Sequence, residues 1–283
     1  MARSYTEELV YVETEDGVLL EGAVIRPAGR ELQPLAIVWV HGLTGRFYSP
    51  MIVTIGRELA GRGFLFVTGN NRGHDFGTLV RRRGQPVLAG GGWELFEESP
   101  YDVAAWTGYA AGLGGRSVVL LGHSLGALKV AYYQAQCQDP RVAGLIAASP
   151  PTRAGRLEPE LVAQAERMVA EGRGRDLLPW GISPAGAGTV SAQTYLSRAR
   201  VNIDVYGFHT PDPAVARIQC PILAFYGTNE EWVGTPADLE TIRRNARAAA
   251  RVDTLVFEGA DHSYTGHEAE VAVAIAEWVA SLV

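Results

Sequence analysis

The chain has 283 residues, of which 47% are hydrophobic and 20% charged, enough for one large α/β domain with a sizeable core. Its net charge of −6 gives no basic surface of the kind that binds nucleic acid. No apolar stretch approaches the ~18 residues of a membrane-spanning helix, and the N-terminus lacks the pattern of a secretory signal, so we expect a cytoplasmic protein without membrane contact.

Strand-like and helix-like segments alternate along the chain. Two strand patterns around Asp16 and Gly17 predict an antiparallel hairpin. Short continuous apolar runs follow, typical of strands buried on both faces: LAIVWVHG, FLFVTGNNRG, SVVLLGHS, AGLIAASPP, PILAFYG and VDTLVFEGADH. Helical patterns lie between them, at residues 50–60, 99–112, 125–137, 236–249 and 266–282. The alternation predicts a mostly parallel eight-stranded sheet flanked by helices, with Arg81, Arg82 and Arg83 in a solvated loop.

One long segment, residues 152–217, interrupts this alternation. It holds an amphipathic helical pattern, LEPELVAQAERMVAEG, followed by a stretch rich in Gly, Pro and aromatic residues. A run of this length inside an α/β alternation favours an inserted helical cap over a structureless loop. We therefore divide the chain into an α/β core, residues 1–151 and 218–283, and an inserted cap or lid, residues 152–217.

Ser124 follows the apolar run VVLL in the sequence GHSLG and precedes a predicted helix. Reactive residues of parallel sheets lie beyond the carboxyl ends of the strands, which is where this serine stands. A strand-to-helix turn that exposes a serine forces its backbone toward positive φ, and Gly122 and Gly126 let the strand and helix approach without Cβ clashes. The pattern predicts that Ser124 is a nucleophile and not merely a turn residue.

A serine hydroxyl needs a base to take its proton and a carboxylate to orient that base. We expect His262 to be this base, because it stands directly after the last predicted strand. His41 lies in the HG turn, where a histidine ring more often has a structural role. For the acid we favour Glu230, which follows the strand ILAFYG and keeps the chain order Ser, acid, His. Glu231 stays open as the alternative, and Asp102 is expected on a helix surface.

The negative charge that develops on a carbonyl oxygen needs preorganised donors. The backbone N–H groups of Leu43 and Leu125, each just after a predicted strand end, are the candidates for this oxyanion role.

Aromatic residues are candidates for a lipophilic or aromatic substrate pocket, with ordinary core packing as the alternative for each. They are Trp93, Trp180, Tyr195, Tyr206, Phe208 and Trp232.

At these residues the chain resembles the serine-dependent α/β-hydrolase superfamily. WVHGLTG resembles its HG oxyanion loop, GHSLG its nucleophile elbow, GTNEEWV its acid turn and GADH its terminal histidine loop. The resemblance extends over nearly the whole chain and implies an α/β-hydrolase fold with a cap and an esterase-like activity. Two features depart from it: many relatives carry Asp where Glu230 stands, and GNNRGHDFG replaces the common D-x-R-G-x-G turn.

We therefore expect a serine carboxylesterase that cleaves an ester of a small lipophilic or aromatic molecule through an acyl-enzyme on Ser124. The histidines and cysteines show no metal-ligand spacing and the glycine-rich pieces form no nucleotide motif, so neither a metal nor a cofactor is predicted. The same triad also serves thioesterases, amidases, acyltransferases and cofactor-free lyases or C–C hydrolases. A hydrolase-like ligand receptor is the non-enzyme alternative, and the sequence leaves open whether the protein is a homo-oligomer.

Overall fold

The computed structural model describes residues 4–114, 117–153, 157–179, 189–230 and 232–283. Within these ranges ten strands form one sheet. They are β1 (Tyr5–Glu13), β2 (Val18–Pro27), β3 (Ala36–Val40), β4 (Leu65–Gly69), β5 (Thr78–Arg82), β6 (Gln85–Ala89), β7 (Val118–His123), β8 (Val142–Ala148), β9 (Ile222–Gly227) and β10 (Val252–Phe257). The helices are α1 (Pro50–Gly61), α2 (Ser99–Gly112), α3 (Leu125–Cys137), α4 (Pro159–Ala170), α5 (Ala192–Arg200), α6 (Asp238–Asn245) and α7 (Glu268–Ala280), with short 3-10 helices at Phe96–Glu98 and Ala214–Arg217.

The strands lie in the order β10-β9-β8-β7-β3-β4-β2-β5-β6, and β1 pairs with β2. Neighbours from β4 through β3 to β10 are parallel, and the remaining pairs are antiparallel. The carboxyl ends of β3, β7, β9 and β10 therefore meet at one edge of the sheet. This arrangement confirms the predicted mostly parallel sheet flanked by helices.

The sheet has two strands more than the predicted eight, the hairpin of β5 and β6. Its two-residue turn is formed by Arg83 and Gly84, both with positive φ, as a primed hairpin turn requires. The hairpin has no continuous apolar run because much of it faces solvent. The predicted loop position of Arg81 and Arg82 is thus wrong, since both lie in β5.

Two hydrophobic clusters cover the two faces of the sheet, and alternate residues of each central strand enter different clusters. Along β3, Ile37 and Trp39 join the cluster that contains residues of α1 and α7. Val38 and Val40 join the cluster that contains residues of α2 and α3. Because the central strands are buried on both faces, their sequences read as unbroken apolar runs.

The segment between β8 and β9 contributes α4 and α5, which agrees with the helical character predicted for residues 152–217. The two helices share a small cluster of their own, in which Leu161 and Met168 of α4 meet Tyr195 and Leu196 of α5. That this segment closes over a substrate stays a prediction. Among the described residues, no helix combines the length and apolarity needed to span a membrane.

Asp102 is buried, with 1% of its surface exposed, so the predicted surface position is wrong. Its carboxylate accepts from the Arg72 guanidinium at 2.8 Å, and Arg72 also reaches Asp16 at 3.0 Å and Glu98 at 2.7 Å. The Arg72 backbone N–H donates to Asp102 at 2.9 Å. This buried network fastens α2 to the loop after β4, and its partners lie too far apart in the chain for a local pattern to reveal them.

Replacing Asp102 by alanine is expected to lower the free energy of unfolding by about 3–5 kcal/mol, because it leaves a buried arginine without its main partner. Asp176→Ala is the matched control, since it removes an exposed pair with Arg173 and is expected to cost only about 0–1 kcal/mol. Urea unfolding of both variants measures the difference. Equal losses would contradict the structural role of the buried pair.

Candidate active site

Ser124 occupies a sharp turn between β7 and α3, with φ of 54° and ψ of −127°. A Cβ on Gly122 would lie 2.3 Å from the Gly126 carbonyl oxygen, and a Cβ on Gly126 would lie 2.1 Å from the Val40 carbonyl oxygen. Both contacts are too short for any side chain, so the turn requires glycine at the two positions. Strained backbone of this kind is concentrated at functional sites.

His262 lies in the loop after β10 and contacts Glu230 in the loop after β9. The imidazole Nδ1 is 2.7 Å from Oε2 of Glu230, whose side chain is 0% exposed. An ionised carboxylate only accepts hydrogen bonds, so Nδ1 carries the ring proton and donates a hydrogen bond to Glu230. The other ring nitrogen, Nε2, is then left with a free lone pair that can accept a proton.

Glu230 stays ionised in its buried position. Burial acts to raise its pKa, but the hydrogen bond from His262 and the backbone N–H of Trp232 outweigh it, and the pKa lies below the ordinary value of 4.5. The Trp232 N–H donates to Oε1 at 3.0 Å, so both carboxylate oxygens are occupied. Glu231, the alternative acid, lies outside the described residues.

Ser124 and His262 line the same cavity, which has a volume of about 420 Å³. Apolar side chains of Leu43, Met51 and Ile52 belong to its walls, and Glu268 at the start of α7 is its acidic residue. The cavity therefore combines the hydroxyl, the imidazole and a mainly apolar space beside them. Within the described ranges, no group of three or more His, Cys, Asp or Glu side chains is placed to hold a metal ion.

The two predicted oxyanion donors flank Ser124. Leu125 is the first residue of α3, and Leu43 follows Gly42, where an added Cβ would lie 3.2 Å from the Ser124 Oγ. Neither the Leu43 nor the Leu125 backbone N–H has an acceptor in the part of the chain that the structure describes. Their role as oxyanion donors stays a prediction.

Sequence reasoning missed a supporting residue, His123. Its Nε2 is 2.8 Å from the backbone carbonyl oxygen of His262, and the two rings lie 4.7 Å apart. Burial, with His262 beside it, lowers the pKa of His123 to about 3, so the ring is neutral at physiological pH and Nε2–H donates. His123 therefore holds the loop of His262 against β7. In the sequence, its position directly before Ser124 was the feature that could have indicated this role.

His41 has the structural role that was predicted for it. Its Nδ1 lies 2.8 Å from the Gly42 carbonyl oxygen, and its Nε2 accepts from the Asn71 backbone N–H at 2.9 Å. Burial, followed by the nearby Lys129, lowers its pKa to about 3. A neutral ring therefore braces the turn that leads to Leu43.

The described aromatic candidates are not among the residues that line the cavity. Tyr195 packs between α4 and α5, and Tyr206 is buried with its hydroxyl donating to the Ala127 carbonyl at 3.0 Å. Phe208 packs against the larger core cluster, and 59% of Trp232 is exposed. Trp93 stacks edge-on against Phe76. Trp180 lies outside the described residues.

A mostly parallel sheet that presents a serine on a strand-to-helix turn, with a histidine and a carboxylate on neighbouring strand ends, defines the class of α/β hydrolases. The sequence profile of the alpha/beta hydrolase family matches residues 37–275. The chain therefore belongs to this family. No curated protein sequence matches it.

Solved structures of esterases share the fold. Est1E from Butyrivibrio proteoclasticus, in a structure with bound ferulic acid, is 20% identical with a TM-score of 0.70, over 96% of this chain and 98% of that one. The esterase domain of a Rhodothermus marinus protein is 18% identical with a TM-score of 0.64, over 98% of both chains. The Pyrococcus furiosus esterase Pf2001 is 16% identical with a TM-score of 0.62, over 98% of this chain and 92% of the other. At this identity the likeness shows a common fold.

Proposed function

We propose that the protein is a serine carboxylesterase that hydrolyses an ester of a small molecule through an acyl-enzyme on Ser124. One observation carries the proposal: His262 Nδ1 lies 2.7 Å from the carboxylate of the buried Glu230, and His262 lines the same cavity as Ser124. This contact leaves Nε2 as the proton acceptor on the ring. A base oriented in this way is what a serine nucleophile requires.

The reaction proceeds in two halves. Oγ of Ser124 attacks the ester carbonyl while His262 Nε2 takes the hydroxyl proton, and the Leu43 and Leu125 N–H groups bind the resulting oxyanion. The tetrahedral intermediate breaks its bond to the alcohol oxygen, which leaves with the proton from His262. Water then gives a proton to His262 and attacks the acyl-enzyme, and the acid departs as Ser124 regains its proton.

The cavity favours an uncharged, lipophilic substrate. Leu43, Met51 and Ile52 offer apolar surface, and the carboxylate of Glu268 disfavours an anionic group beside it. Ferulic acid, which the Est1E structure holds, is an aromatic carboxylic acid, so aromatic esters belong among the substrates to be tested.

A panel of matched esters, thioesters and amides tests the proposal, together with labelling by a fluorophosphonate. We expect the highest kcat/KM for the neutral esters, a burst of released alcohol as the acyl-enzyme accumulates, and a stoichiometric label. Faster thioester or amide cleavage would replace the esterase assignment by one of those activities. A retained label without turnover of any substrate would favour a receptor.

A further inference from the structure

A second cavity, of about 410 Å³, lies between α4 and the end of α5. Leu157, Val162, Ala163 and Ile203 give it apolar walls, and Arg198 contributes to its lining. None of its lining residues belongs to the cavity of Ser124 and His262. It is therefore a separate space, built from the segment that interrupts the α/β alternation.

Arg198 is an unusual residue to find in such a place. Only 6% of it is exposed, and its terminal Nη2 is buried without a hydrogen-bond partner. In the described part of the chain its guanidinium forms no ion pair. Burial of an unpaired charge is costly, and here it lowers the pKa of Arg198. A buried guanidinium of this kind calls for an anionic partner.

One carboxylate interacts electrostatically with Arg198, although no hydrogen bond joins the two in the described part of the chain. This carboxylate is Glu94, and its Oε2 accepts from Lys129 at 2.5 Å. Glu94 is therefore shared between Lys129 and Arg198, and its Oε1 is buried without a hydrogen-bond partner among the described residues. Glu166 is the acidic residue among the described residues that line the cavity, and it is exposed to water, which screens its charge. Arg198 is therefore the buried charged residue among the described residues that line the cavity, and it lies between apolar walls.

We propose that this cavity binds a small monocarboxylate that carries an apolar group. The guanidinium fork of Arg198 would pair with the carboxylate, and the apolar group would lie against Leu157, Val162 and Ile203. Such a ligand supplies a hydrogen-bonded anion for Arg198 and covers apolar surface at the same time. The site goes beyond the proposed esterase reaction and does not depend on it.

Calorimetric titration of sodium octanoate into the Ser124→Ala protein tests the site without any catalysis. We expect saturable binding that Arg198→Met weakens by about tenfold or more, because a charge-assisted hydrogen-bonded pair is lost. Arg200→Met is the matched control, since Arg200 lies exposed on the same helix, and it should leave the affinity unchanged. Octanamide, which keeps the chain but lacks the charge, should bind more weakly than octanoate to the Ser124→Ala protein.

Two further measurements separate this site from the catalytic cavity and from a folding defect. Ala163→Trp, which fills the space between α4 and α5, should abolish octanoate binding while the rate of ester hydrolysis in an otherwise native chain persists. Arg198→Met should unfold at the same temperature as the parent or higher, since it removes an unpaired buried charge. Absence of saturable binding, or equal affinity in the Arg198→Met variant, would overturn the proposal.

Discussion

Ser124→Ala is expected to lower the rate of ester hydrolysis by about 10⁴-fold or more and to abolish fluorophosphonate labelling. The alanine keeps a Cβ on the strained turn but removes the oxygen that would form the acyl-enzyme. Leu43 and Leu125 can still bind an oxyanion, so a small residual rate above the uncatalysed reaction is expected to remain. Steady-state kinetics with an ester from the panel measure the loss.

Ser263→Ala is the matched control for this prediction. Ser263 lines the same cavity as Ser124 and is exposed, but it lies on the loop after β10 and not on the strained turn. Its replacement should leave both the label and the rate close to those of the parent protein. If Ser124→Ala retained most of the activity in a folded protein, the nucleophile would have to be another group.

The positions of Ser124 and His262 could be predicted because each depends on a local pattern. An apolar run marks a strand buried on both faces, and the residue after it necessarily lies at the edge where parallel strands end. Gly122 and Gly126 mark a close approach that only glycine permits. These features need no knowledge of distant contacts, so a single sequence is sufficient.

Other features depend on residues that are far apart in the chain. Asp102 and Arg72 are 30 positions apart, and a polar residue on a helix is usually solvated, so the sequence favoured a surface position. The contact from His123 to the His262 carbonyl spans 139 positions. Aromatic side chains fill a core as readily as a substrate cavity, and residue type alone did not decide between these for Tyr195 and Tyr206.

The choice between the adjacent acids Glu230 and Glu231 depends on the direction in which one loop turns its side chains. The structure directs Glu230 toward His262 and surrounds its carboxylate with donors. Sequence spacing allowed either residue, because both follow β9 within a few positions. The assignment of the acid is therefore a matter of local geometry, and a pair of matched variants can examine it directly.

Glu230→Gln is expected to lower kcat by about 10⁴-fold with little change in the fold. A glutamine amide can donate to Nδ1 of His262, which moves the imidazole proton to Nε2 and removes the lone pair that would take the Ser124 proton. Glu231→Gln makes the same chemical change one residue away and should keep most of the activity. The reverse result, a large loss in Glu231→Gln alone, would assign the acid to Glu231.

The same variant should also change how stability depends on pH. Because the folded protein holds the pKa of Glu230 below the ordinary 4.5, the folded state favours the ionised form. This contribution is fully present above pH 4.5 and is lost as the pH falls through the lowered pKa of the folded state. Glu230→Gln lacks the titrating group, so its unfolding free energy should fall less steeply on acidification than that of the parent. Parallel urea unfolding curves at neutral and acidic pH measure this difference, and identical acid slopes would contradict the lowered pKa.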